Sequence, residues 1–135
     1  TTVEQMLILY NDMIANNRVS SPMIEVKDGE IYIRTSKMID EIFKFIKDYG
    51  SADVIPLKLK DFRKQAIKSG YITKINAKQA RFLSGFNEFS KPVWVDMFHK
   101  EKLMDLNVSN ITNEEIFEEN VCEYEQEIFE RMFPN

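Results

Sequence analysis

The sequence predicts a mixed α+β domain, and three observations carry that reading. Apolar residues recur at helical spacing in several segments, two stretches alternate apolar and polar residues about turn-forming ones, and four glycines and four prolines are spread along 135 residues as punctuation. A chain of this length buries roughly 65–70% of the surface its unfolded form exposes, so a core can form without disulfides or metal.

The first helix is predicted from the capping-box pattern Thr2-Val3-Glu4-Gln5, with Val3, Met6, Tyr10, Met13 and Ile14 on one face up to about Asn17. Residues 23–27 and 30–34 then alternate about Asp28-Gly29, with Ile24, Val26, Ile31 and Ile33 inward, the pattern of a tight hairpin. Ser36 is the predicted N-cap of a second helix carrying Met38, Ile39, Ile42, Phe43, Phe45 and Ile46, which stops at Gly50. A third starts near Pro56, presents Leu59, Phe62, Ala66 and Ile67 as its apolar stripe, and ends at Ser69-Gly70. Residues 71–75 and 92–98 read as a strand and its return partner, while 77–83 fits either a helical turn or a third strand. Residues 100–106 read as helix and 107–113 as a polar linker. A last amphipathic helix is predicted from the capping box Thr112-Asn113-Glu114-Glu115, with Phe117, Val121, Tyr124, Ile128 and Met132 in its stripe. The expected organisation is therefore a domain over 1–106, followed by a linker and acidic helix over 107–135.

Composition removes most chemistry. The one cysteine, Cys122, cannot form an intramolecular bridge, so a disulfide-rich secreted scaffold is excluded and a cytoplasmic setting expected. No apolar run approaches the roughly 18 residues of a membrane span. The one histidine, His99, shares no ligand spacing with Cys122, and the scattered glycines cannot form a phosphate-binding loop, so no metal, cofactor or catalytic site is expected. His99 reads either as a structural residue or as a base or phosphate contact. The run Glu114, Glu115, Glu118 and Glu119 lacks the alternating ligands of a calcium loop, and it complements the helix dipole.

The net charge of −4 hides a segregation of sign. Residues 56–82 hold eight cations, Lys58, Lys60, Arg63, Lys64, Lys68, Lys74, Lys78 and Arg81, against Asp61 alone, whereas residues from 113 onward hold eight glutamates against Arg131. These eight cations are the expected DNA-binding set: helical spacing opposes Lys60, Arg63, Lys64 and Lys68 to the apolar stripe, and Lys74, Lys78 and Arg81 extend the patch along the following strand. Arg63 and Gln65 are placed to read base edges, and reversing charge at Arg63 and Lys64 is expected to leave the fold intact. Among the aromatics, Phe86 and Phe89 are expected to be exposed, with Trp94 and Phe82 in the core.

The series Ile31-Tyr32-Ile33, the helix Met38–Tyr49 with Gly50, Ile55-Pro56-Leu57, Asp61-Phe62-Arg63-Lys64-Gln65 and Ser69-Gly70-Tyr71-Ile72 resembles the C-terminal winged-helix region of phage and mobile-element primase-helicases. The resemblance covers about residues 30–98. It implies a winged-helix-like core, with an N-terminal helix and hairpin before it and an acidic helix after it. It also implies that the chain is the non-catalytic DNA-contacting part of a larger DNA replication protein, partnered by duplex or forked DNA and by that protein's remaining domains. Lys60, Arg63, Lys64 and Lys68 then match recognition-helix positions. The primase and ATP-binding motifs of such enzymes are absent from this sequence. The alternative is a protein-interaction module that uses the basic patch and the acidic C-terminal helix.

Overall fold

In the computed structural model, which describes residues 1–50, 53–83 and 88–113, five helices pack with one antiparallel four-stranded sheet. Helix α1 (Thr2–Ala15) opens one residue earlier than its sequence pattern suggests: the Thr1 hydroxyl accepts from the Glu4 N–H at 3.2 Å and donates to the Glu4 carboxylate at 2.8 Å. Both Thr1 and Thr2 satisfy the capping template. The Thr1 register places a carboxylate rather than an amide on the positive end of the helix dipole. The helix ends at Ala15, two residues before the expected Asn17, which adopts φ 56° beyond it.

The hairpin of β1 (Ile24–Lys27) and β2 (Glu30–Ile33) forms as expected, with Ile24, Val26, Ile31 and Ile33 all buried. Asp28 and Gly29 both take positive φ, 52° and 77°, which the right-handed twist of a two-residue hairpin requires. Strand β2 runs almost directly into α2 (Thr35–Tyr49). Thr35 is buried with its hydroxyl on the Ile33 carbonyl, so Ser36 falls inside the first turn instead of capping it. Gly50, in the left-handed region at φ 66°, closes α2 by donating to the Ile46 carbonyl.

Helix α3 (Leu59–Lys68) buries Phe62 and Ala66 and leaves Ile67, expected in the stripe, exposed. Its end turns at Gly70, φ 83°, and Tyr71 N–H donates back to the Ala66 carbonyl at 2.8 Å. Strand β3 (Ile72–Ala80) then pairs with β4 (Val93–Phe98). The undecided stretch resolves as neither alternative: residues 77–80 prolong β3, and Leu83 makes an isolated bridge with Phe89. After α4 (Lys100–Asp105), the expected linker contains a further turn of helix, α5 (Ser109–Thr112). Val108 and Ile111 are buried, and Asn11 on α1 accepts from the Asn110 N–H at 2.8 Å, so this segment belongs to the core. The predicted helix from Asn113 onward lies outside the described residues, as does Cys122.

The strand order is β1-β2-β4-β3. Ile31, Ile33, Ile72 and Phe98 line the face that meets the helices. On the opposite face Val95, Ala80 and Phe82 form a small second cluster with Tyr32, Met23 and Val93. No helix among the described residues is long and apolar enough to cross a membrane.

Two tyrosines tie this packing to pH. Burial pushes the Tyr10 phenol well above its ordinary value, with the nearby Glu41 charge adding to it, and burial raises Tyr71, helped by its hydrogen bond to Glu4. Both groups hold their protons more tightly folded than unfolded. Their contribution is complete below the ordinary phenol pKa of about 10 and is lost as pH rises through the raised values. Urea titrations between neutral pH and about pH 11 should therefore show stability falling above about pH 10, and Tyr10→Phe should flatten that fall.

Candidate nucleic-acid interface

Helix α3 sorts its residues by side. With Phe62 and Ala66 against the core, Lys60, Lys64 and Lys68 follow one another at i, i+4 and i+8, a spacing that stacks them along one line of the outer surface. All three are exposed, as are Gln65 and Lys58, the extended residue that caps the helix. The helix thus presents a straight row of cations, with no ion pair described for any of them.

Arg63 is not part of that row. Its Nε donates to Asp96 Oδ2 at 2.9 Å and its terminal nitrogen to Oδ1 at 3.1 Å, a two-pronged pair with a carboxylate that is 0% exposed at the centre of β4. The Asn76 N–H completes the arrangement, donating to Oδ1 at 2.9 Å. Asn76 reaches it because β3 slips register twice, between Ile72 and Lys74 and between Lys74 and Lys78, and because its own φ is 49°. Arg63 therefore bolts α3 to both strands of the hairpin. The expectation that it reads base edges is corrected: its guanidinium is committed to a buried carboxylate, and reversing its charge would set two carboxylates against each other. The pattern Trp94-Val95-Asp96-Met97-Phe98 held the clue, since alternation puts Asp96 on the same face as Phe98, and a buried carboxylate needs a cation.

Lys78 is also engaged, through an ion pair with Glu25 and with its ammonium 4.1 Å from the centre of the Tyr32 ring. Lys74 and Lys78 lie opposite Met97 and Val95, the β4 residues that alternate away from the helices. The sheet thus separates these two lysines from the α3 row, although Lys74 and, past the end of β3, Arg81 are exposed. His99 caps α4, with Nδ1 accepting from the Lys102 N–H at 3.2 Å and Nε2 3.7 Å from Glu101. Of its two readings, the geometry matches the structural one.

Trp94 departs from its expected core position, while Phe82 keeps it. Trp94 is 53% exposed, Phe82 is buried and Phe89 is half-buried; Phe86 lies outside the described residues. The reason is strand length. β2 pairs with β4 only from Asp96 to Phe98, so Val93–Val95 pair with β3 alone and carry Trp94 past the covered part of the sheet.

No protein-family model, curated protein or solved structure matches the chain. The site is consequently read from its own chemistry. A row of cations on a helix braced by a buried ion pair offers repeated, evenly spaced positive charge on a stiff support, which suits a polyanion of regular charge spacing. Elsewhere, a cleft of about 430 Å³ between α2 and the segment that follows α1 is lined by Arg18, Lys37, Glu41, Lys44, Asp48 and Tyr49. Its charges are of mixed sign, and Arg18 is spent on the Tyr49 hydroxyl at 2.7 Å.

Proposed function

We propose that this chain is a non-catalytic DNA-binding module with a winged-helix-like core, in which α3 is the recognition helix and the β3–β4 hairpin is the wing. The order of elements supports the architecture. Counting from α1, a helix, a strand (β2), two helices and two strands succeed one another, with the last strand, β4, in the middle of the three. On this reading β1 is an added outer strand, and α4 and α5 are additions behind the core.

The observation that carries the function is the Lys60–Lys64–Lys68 row, exposed on a helix whose other side is buried. Laid along a duplex, it replaces counterions condensed on successive phosphates, and Lys58 extends it at the helix start. The resemblance to primase-helicase C-terminal regions further suggests a setting in phage or mobile-element DNA replication, with other domains supplying the chemistry.

Fluorescence anisotropy of a labelled mixed-sequence duplex, at low and moderate salt, tests the reading. Binding that weakens steeply with salt and is displaced by unlabelled duplex is the expected result. Failure to bind at low salt overturns it. If poly-glutamate displaces the duplex far more effectively than unlabelled DNA does, the basic row instead serves an acidic protein partner.

A further inference from the structure

We propose that Trp94 is a base-stacking residue, and that the DNA engaged by this module presents an unpaired base beside its duplex. The inference rests on the DNA-binding reading above and specifies which DNA structure that surface prefers.

Four features converge on Trp94. It is a large apolar group left 53% exposed, on the one part of β4 that has no β2 neighbour. It shares a sheet face with Asp96 and Phe98, the face that meets the helices, and lies two residues from Asp96, about 7 Å along the strand. Because Asp96 holds Arg63, that position is beside α3. The flank of α3 on the Arg63 side carries exposed Ile67 one turn later and Lys60 one turn earlier, so the side of the helix that reaches toward β4 leads into the cationic row. Finally, the strand that carries Trp94 is held firmly, since Trp94 is in register with Gln79 on β3 and the Arg63–Asp96–Asn76 bonds brace β4 two residues on.

An exposed aromatic surface on the helix-bearing face of the sheet, together with the α3 row of cations, matches a ligand that alternates flat aromatic faces with phosphates. An intact duplex hides its base faces in the stack and offers only edges and backbone. Only an unpaired base, at a fork, an overhang or a single strand, can lie on the indole.

Trp94 is the one tryptophan of the chain, so its emission reports this contact directly. The full chain is titrated with a short labelled oligothymidylate, an abasic oligomer of equal length and charge, a blunt duplex and a forked duplex, reading anisotropy and tryptophan emission together. Strong quenching by oligothymidylate and the fork is expected, with little from the abasic oligomer or the blunt duplex. Trp94→Ala should lose about tenfold in affinity for the base-bearing strand and fork. It should lose almost nothing for the abasic oligomer, and Trp94→Phe should retain most of the binding. Anisotropy binding to oligothymidylate without quenching, or a Trp94→Ala loss equal for base-bearing and abasic strands, overturns the proposal while leaving the cationic row as a DNA site. Absence of anisotropy binding to every DNA overturns the DNA-binding reading itself. Unchanged thermal unfolding of Trp94→Ala separates lost stacking from lost fold.

Discussion

Arg63→Ala is expected to lower the unfolding free energy by about 3 kcal/mol, the largest effect of any substitution on the exposed half of α3. The cost arises at Asp96 rather than at Arg63. A carboxylate with no exposed surface keeps only the Asn76 N–H when the guanidinium is removed, and an unpaired buried charge is far more costly than a lost surface contact. Chemical denaturation of four proteins checks this: wild type, Arg63→Ala, Asp96→Leu, and the pair Arg63→Met with Asp96→Leu. The double variant should recover much of the loss, because an apolar pair of similar volume removes the charge together with its need for a partner. A loss below about 0.5 kcal/mol for Arg63→Ala would instead mean that the pair behaves like a solvated surface bridge. The same bond makes Arg63→Glu with Lys64→Glu unsuitable as a probe of DNA binding, since weakened binding would then reflect a damaged fold.

Replacing Lys60, Lys64 and Lys68 together by alanine isolates the surface chemistry. Each phosphate neutralised on duplex DNA contributes about 0.9 to the slope of log affinity against log salt, so the triple variant should show a slope smaller by about 3. Its affinity should fall most at low salt and approach that of wild type as salt rises. Stability should move the other way. Like charges at i, i+4 repel by about 0.2–0.5 kcal/mol per pair, so removing the row should leave the unfolding midpoint unchanged or slightly higher. Anisotropy titrations across a salt series, with thermal unfolding of the same samples, read both quantities. An unchanged slope would show that the row does not meet phosphate. Lys78→Ala provides a contrast: its charge is spent on Glu25 and Tyr32, so its loss should leave the slope almost unaltered.

What could be read from the sequence followed the reach of local rules. The hairpin at Asp28-Gly29, the stop at Gly50 and the end of α3 at Gly70 each depend on a backbone conformation that a few neighbouring residues dictate, and all three stand where expected. Helix spacing likewise placed Lys60, Lys64 and Lys68 opposite Phe62 and Ala66. Alternation in β4 marks Asp96 as a buried acid in need of a cation, but that Arg63 supplies it, and that Lys78 pairs with Glu25, depends on partners far apart in the chain and was not legible. Trp94 was misplaced for a related reason. Whether a strand residue is covered depends on where the neighbouring strand stops, and the register of β2 against β4 is a tertiary fact. Residues 107–113 looked polar enough for a linker, yet Val108 and Ile111 suffice to fix one helical turn once α1 offers Asn11 as an acceptor.

The two register slips in β3 have a consequence beyond the positioning of Asn76. β3 is an outermost strand, and a regular outermost strand exposes a row of unsatisfied backbone donors and acceptors that invites pairing with another molecule. Here the slips break that row, and the Asn76 N–H is turned inward to the Asp96 carboxylate. Copies of the domain brought side by side thus lack a continuous edge along which to fuse, and the kink that steadies the β3–β4 hairpin also guards it against aggregation.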